Sequence, residues 1–266
     1  MYDSPWALLY PATSFLVAMP LSWLPVLWAT VVFASISSAL LAYSITQNDW
    51  DRWPMFGSAP FIFAAGSAQW SPLFTAALTI PPLAIAFAAK PTIGVALAAA
   101  GSVRVQKYAA CGGLLLLVGS LLWLPSWPQE WLANVRLATH ISSPLFRTGG
   151  IIVLLALLRW KRPEARLILA LACVPQSGAW YEALPLFLVA TTRYETMLLA
   201  ILSSLGFLLY YPQMDQVNEV QVNHDVGALM VAFVYLPAVI MVLRRRNEGD
   251  VPEWLQRLLR LLRMQR

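Results

Sequence analysis

Lys90 and Glu182 are the residues of this chain whose type and setting point most directly to chemistry. Lys90 is the one charge in a long apolar stretch, 66–101 (GSAQWSPLFTAALTIPPLAIAFAAKPTIGVALAAAG), and Pro91 follows it at once. Proline has no N–H and pushes the residue before it out of the α region, so the spacing predicts two half-helices meeting at Lys90. A lysine at the centre of a bilayer costs roughly 3 kcal/mol on insertion scales. It therefore faces a cavity or a partner, or it snorkels its head to an interface. An ammonium at a helix junction is suited to hold a phosphate. Glu182 sits in QSGAWYEALPLF (176–187), at the mouth of another apolar run. A carboxylate desolvated there is suited to act as a general base, whereas a solvated one is an ordinary interface charge.

A second rank of candidates surrounds these two. Gln69 is an amide in the same apolar stretch as Lys90, with helix packing as its plainer role. Trp180 and Tyr181 precede Glu182 directly. Arg136 and His140, one helical turn apart in the long connection 126–147, are placed to meet an anionic headgroup or simply to be solvated. Asp3, Asp49 and Asp51 read as loop charges. Phosphate-binding glycine loops, zinc patterns and the G-x-S-x-G elbow are absent, so no metal and no cofactor are expected.

The elements that must position these residues are helices in a membrane. Of 266 residues 59% are hydrophobic and only 12% charged, about half the charge of a soluble domain. Mean hydropathy is +0.64. Apolar runs bounded by Arg, Lys or Pro predict an all-α polytopic integral membrane protein of about eight to ten segments, some short or broken. The alternation of a barrel strand is missing. Cys111 and Cys173 lie inside apolar runs and read as small core residues, not a disulfide. The net charge of +5 is spread over short loops and the tail, so nucleic acid is not an expected partner. Many of the twelve tryptophans stand at run ends, as in an interfacial belt.

Along the chain, YPATSFLVAMPLSWLP (10–25) predicts a kinked half-helix, and 26–46 a full span. SVRVQK (102–107) reads as a basic loop, 108–124 as a span, and WPQEWLANVRLATH (127–140) as an amphipathic surface helix. Basic loops recur at SVRVQK, RWKRPEAR (159–166), TTRYE (191–195) and RRR (244–246). Between them lie aromatic or acidic connections, including 211–225. The positive-inside rule puts the basic set and the C-terminus in the cytoplasm and the aromatic set outside, in a bacterial inner membrane. Two parts are expected: a helical domain, 1–243, and a tail, 244–266. In the tail, Trp254, Leu255, Leu258, Leu261 and Leu262 form one helical face opposite Arg260, Arg263 and Arg266, an interfacial helix for anionic lipid headgroups.

Several of these stretches carry a resemblance. YPATSFLVAMPLSWLP resembles the tyrosine-proline element of the polyprenyl-phosphate-sugar-dependent membrane glycosyltransferases of the GT-C fold, most closely glycosyltransferase family 87, the α-mannosyltransferase-like group. GSAQWSP resembles that family's Gly-Gln element, with Ala68 where the glycine usually stands. AAKPTIGVAL resembles its Lys-Pro element, and VPQSGAWYEALPL its outer-face element of Ser-Pro, Trp and Tyr. The likeness runs over about 10–209. It implies transfer of a sugar, mannose being one candidate, from a polyprenyl-phosphate carrier to a lipid or glycan acceptor on the outer face. It further implies an acidic general base, cations for the departing lipid phosphate, and aromatic outer loops for acceptor sugars. On this sequence those roles go to Glu182 or Asp3 as base, Lys90 as phosphate-side cation, and Gln69, Tyr10, Arg136, His140, Trp180 and Tyr181 as substrate contacts.

The likeness has one departure. Only nine residues precede Tyr10, so the expectation is a GT-C-like bundle without the family's first helix and its catalytic aspartate loop. A competing expectation follows: a catalytically depleted subunit that packs in a larger membrane complex. A small transporter or lipid-binding protein is the third, though the inverted halves common in transporters are missing.

Overall fold

The computed structural model describes residues 10–137, 142–176, 180–211, 227–249 and 251. Among them the chain is helical throughout, with one isolated antiparallel bridge, Ser142 to Gln176, instead of a sheet. The α-helices are α1 (Ala12–Ala18), α2 (Val26–Thr46), α3 (Ala59–Gly66), α4 (Ser71–Ala77) and α5 (Pro91–Ala100). They continue with α6 (Val103–Trp123), α7 (Trp127–Leu137), α8 (Pro163–Cys173), α9 (Arg193–Tyr210) and α10 (Gly227–Leu243). The middle of α10, Val231–Tyr235, is π-helical.

Three further segments are 3₁₀ helices of unusual length: Pro81–Ala89, Gly150–Arg159 and Trp180–Val189. Runs of this geometry rarely exceed three or four residues. At about 2.0 Å per residue, ten residues reach ~20 Å instead of the ~15 Å of an α-helix. Proline accounts for part of this. Pro81 and Pro82 open the first segment, and Pro185, which has no N–H to give, lies inside the third. The runs expected as short or broken helices are thus stretched ones.

α2 and α6, with 21 residues each, are long and apolar enough to cross a membrane. Both are largely apolar on the outside and bury small or polar residues among apolar ones where they pack. α2 buries Ser37, Leu41, Ser44 and Ile45, at helical spacing, and exposes Val26, Leu27 and Trp28. α6 buries Val105, Gly112 and Ser120 and exposes Leu114, Leu115 and Leu122. At Gly112 an added Cβ would lie 2.5 Å from the Ile85 Cα, so glycine is what lets α6 close against the 3₁₀ segment Pro81–Ala89. α5 packs on α8, α3 on Trp180–Val189, and both α8 and α10 on Gly150–Arg159.

Some expectations change here. SVRVQK is not a loop: Ser102 caps α6, accepting from the Val105 N–H at 3.4 Å, and Arg104 and Lys107 lie in its first turns. Cys111 and Cys173 are exposed on their helices, not core residues. Trp127 is buried, its indole N–H donating to Ser120 Oγ at 3.1 Å, while Trp23 and Trp50 stand exposed at helix ends. The tail from 252 onward lies outside the described residues.

The expected basic loops 159–166, 191–195 and 244–246 converge at one end of the bundle, joined by 47–53. There arginines cap helix C-termini, where carbonyls lack partners and the dipole favours a cation. Arg159 donates to the carbonyls of Leu243 at 3.0 Å and Arg245 at 2.6 Å, Arg245 to Val189 at 2.8 Å, and Arg52 to Ala190 at 3.1 Å. Arg245 also pairs with Glu195 at 2.5 Å and Glu164 at 3.5 Å. Arg193 lies over the Trp53 ring at 5.3 Å.

Candidate functional site

The site begins with backbone. Lys90 ends the 3₁₀ segment Pro81–Ala89 and is the N-cap of α5, at φ −139° and ψ 83°, outside the α region as its place before proline requires. Its N–H reaches Phe87 O at 3.3 Å, and its carbonyl accepts from Gly94 at 2.9 Å. A Cβ on Gly94 would overlap the Phe87 carbonyl, so this corner closes only with glycine there. α1 braces the same corner, Thr13 Oγ1 donating to Ala88 O at 2.6 Å.

Gln69 is placed by the end of α3. The Gln69 N–H donates to Ala64 O at 2.8 Å and the Ala68 N–H to Ala65 O at 3.3 Å, the paired bonds of a Schellman motif. Ala68 takes the left-handed position at φ 48°, the place glycine usually fills. This turn presents the Gln69 side chain to Tyr10, whose hydroxyl donates to Oε1 at 2.9 Å.

The third contribution comes from Trp180–Val189. Glu182, buried to 2% of its side-chain exposure, forms an ion pair with Lys90, whose side chain is 17% exposed. The ammonium also donates to the Tyr181 hydroxyl at 3.1 Å, and lies 4.7 Å from the Tyr181 ring centre and 5.8 Å from that of Tyr10. Two aromatic rings and one carboxylate therefore cage the lysine. Tyr181 stacks on Phe63 at 5.8 Å. Trp180 fits a notch made by Gly206, where an added Cβ would come 2.5 Å from its ring. Two buried atoms here have no hydrogen-bond partner among the described residues: Glu182 Oε2 and Trp180 Nε1.

Lys90, Glu182, Tyr10, Gln69, Tyr181 and Trp180, scattered over more than 170 positions, thus share one neighbourhood. Glu182 is buried, not a solvated interface charge, and Lys90 is ion-paired with it. Arg136 is exposed on α7 and joins no hydrogen bond or ion pair of this cluster. Asp3 and His140 lie outside the described residues.

The sequence reading missed a second buried cation. Arg147, 4% exposed, lies between Pro144–Phe146 and Gly150–Arg159. Its Nη2 donates to the carbonyls of Gln176 and, at 3.1 Å, Ser142; its Nε reaches Ser142 Oγ at 3.4 Å. Gln176 in turn donates to Leu171 O at 2.7 Å and the Tyr235 hydroxyl at 2.9 Å, in the π-helical turn of α10. Glycine at 227 makes room, since a Cβ there would stand 2.5 Å from Arg147 Cδ. Burial lowers the Arg147 pKa, with Tyr235 and Glu182 acting through space in the opposite sense. The available signal was local: a cation beside Pro144 and before Gly149-Gly150 repeats the logic of charge at a helix break that drew attention to Lys90.

The described residues hold no group of three or more His, Cys, Asp or Glu that could bind a metal. Comparison with protein-family models, with characterised proteins and with solved structures gave no match to this chain.

Proposed function

We propose that this chain is a polytopic membrane protein of the bacterial inner membrane with the character of a GT-C glycosyltransferase. In this reading it transfers a sugar, mannose being the first to test, from a polyprenyl-phosphate carrier to a lipid or glycan acceptor on the outer face. The observation that carries the reading is the Lys90–Glu182 pair, caged by Tyr10 and Tyr181, with Glu182 Oε2 buried and unpartnered. Such an oxygen lacks a donor, and an acceptor hydroxyl supplies one. Glu182 then takes the hydroxyl proton as the oxygen attacks the anomeric carbon and the bond to the lipid phosphate breaks. Lys90 holds the carboxylate in place, with the Tyr10–Gln69 hydrogen bond and the Tyr10 ring beside it. The apolar exteriors of α2 and α6, and the gathering of arginines at one end, support the membrane setting and a cytoplasmic basic end.

The test is transfer by purified protein in liposomes, from a polyprenyl-phosphate-linked mannose to a polyprenol or glycolipid acceptor. Glu182→Gln is expected to lower the rate about 10²–10⁴-fold, the usual range for a general base. Undiminished transfer by Glu182→Gln removes the mechanism. One observation favours a second reading, the non-catalytic subunit: a lysine already neutralised by its own carboxylate is complete as a structural pair. Co-purification with fixed partners, together with no transfer from any donor, would select it.

A further inference from the structure

Among the described residues, Lys90 and Glu182 pair with each other and Arg147 has no carboxylate partner. The acceptors of its guanidinium among them are neutral: two carbonyls, one hydroxyl and a thioether. Among the described residues Nη1 has only the Met230 Sδ, at 3.6 Å, a weak acceptor for so strong a donor. A buried cation in this state is costly unless an anion joins it. Ser143, next to Ser142, which supplies two of those acceptors, has a buried hydroxyl with no partner among the described residues. Gly227 lets α10 press on the arginine stem, and Gln176 is held through Nε2, which donates to both Leu171 O and the Tyr235 hydroxyl.

We propose that Arg147 is the contact for a phosphate-class oxyanion, which Nη1 and the Ser143 hydroxyl complete. A guanidinium suits this task because it keeps its charge when buried and, with Nε and Nη2 committed to neutral acceptors, still has Nη1 to give a charge-assisted hydrogen bond. The inference reassigns the cation of the site. Lys90 orients Glu182, and Arg147 holds the anion. The source is either the headgroup of a phosphorylated lipid or free phosphate.

Binding to the full chain in nanodiscs decides the matter, with farnesyl phosphate, farnesol and inorganic phosphate as probes. The wild type is expected to prefer farnesyl phosphate over farnesol by about 10- to 100-fold, the range of one or two charge-assisted hydrogen bonds. Arg147→Met is expected to lose that preference and keep its affinity for farnesol. Inorganic phosphate that binds alone, and only with Arg147 present, assigns the site to the free anion; binding of farnesyl phosphate alone assigns it to a lipid headgroup. A wild type without the preference, or an Arg147→Met protein that retains it, overturns the proposal. If Arg147→Met does not fold, Arg147→Lys decides: the charge without the planar fork is expected to give an intermediate preference, and a wild-type preference overturns the guanidinium contact. A protein that passes this test yet transfers no sugar refutes the transferase reading alone.

Discussion

Two regions of this molecule handle charge in opposite ways. At the basic end, Arg52, Arg159, Arg162 and Arg245 each cap a carbonyl, and Arg245 holds two carboxylates whose side chains are 16% and 25% exposed. Around Lys90 and around Arg147 the charges are few, Glu182 and Arg147 are almost fully buried, and several polar atoms have no partner among the described residues: Glu182 Oε2, Gln176 Oε1, Ser143 Oγ and Trp180 Nε1. The basic end also leaves Arg162 Nε and Glu164 Oε2 without a partner among the described residues, on side chains 20% and 16% exposed. The difference teaches how to separate structural polarity from polarity held in reserve. Arginines that end helices donate N–H groups to the carbonyls at those ends. A buried group left unsatisfied costs free energy that a ligand can return.

The largest expected effect breaks the nest from within. Glu182→Leu strands the Lys90 charge and should cost about 3–5 kcal/mol, whereas Lys90→Met with Glu182→Leu should restore most of that loss. Thermal or denaturant unfolding in detergent reads both, and a double variant no more stable than the single would show that the pair is not the reason. Next, Gly94→Ala forces a methyl onto the Phe87 carbonyl and should cost about 1–3 kcal/mol by overpacking. It should also lower farnesyl phosphate binding if the corner at Lys90 sets the nest; a stable variant would mean the corner can give way.

Two smaller effects sharpen the contrast. Ala68→Gly relieves the left-handed turn and should stabilise by about 1 kcal/mol, without change in the Tyr10–Gln69 bond. A drop in melting temperature would contradict this account of the turn. Arg245→Ala, at the basic end, should cost about 1 kcal/mol and less at high salt, because partly exposed pairs are screened. A salt-independent loss several times larger would mean the basic end is as desolvated as the nest.

Much of the nest was legible because polar residues are rare in so apolar a chain. Lys90 and Glu182 were singled out as separate candidates, a phosphate cation and a base, with Gln69, Tyr10, Trp180 and Tyr181 beside them. The end of α2 at 46 and the amphipathic start of α7 at Trp127 were readable from periodicity and proline. Arg147 was not, because it ends a long polar connection, where an arginine is unremarkable until its burial is known. The 3₁₀ geometry of three segments was also hidden: apolar runs of nine or ten residues read alike in either helix.

The amino-acid sequence alone determined that this is a helical chain with an interrupted segment at Lys90, since proline geometry and hydrophobic run length act locally. Only the tertiary structure decided that the lysine spends its charge on Glu182 and that Arg147 is buried with no carboxylate partner among the described residues. Pairing depends on which of several buried charges come within reach through space, and no local rule of composition or spacing fixes that distance.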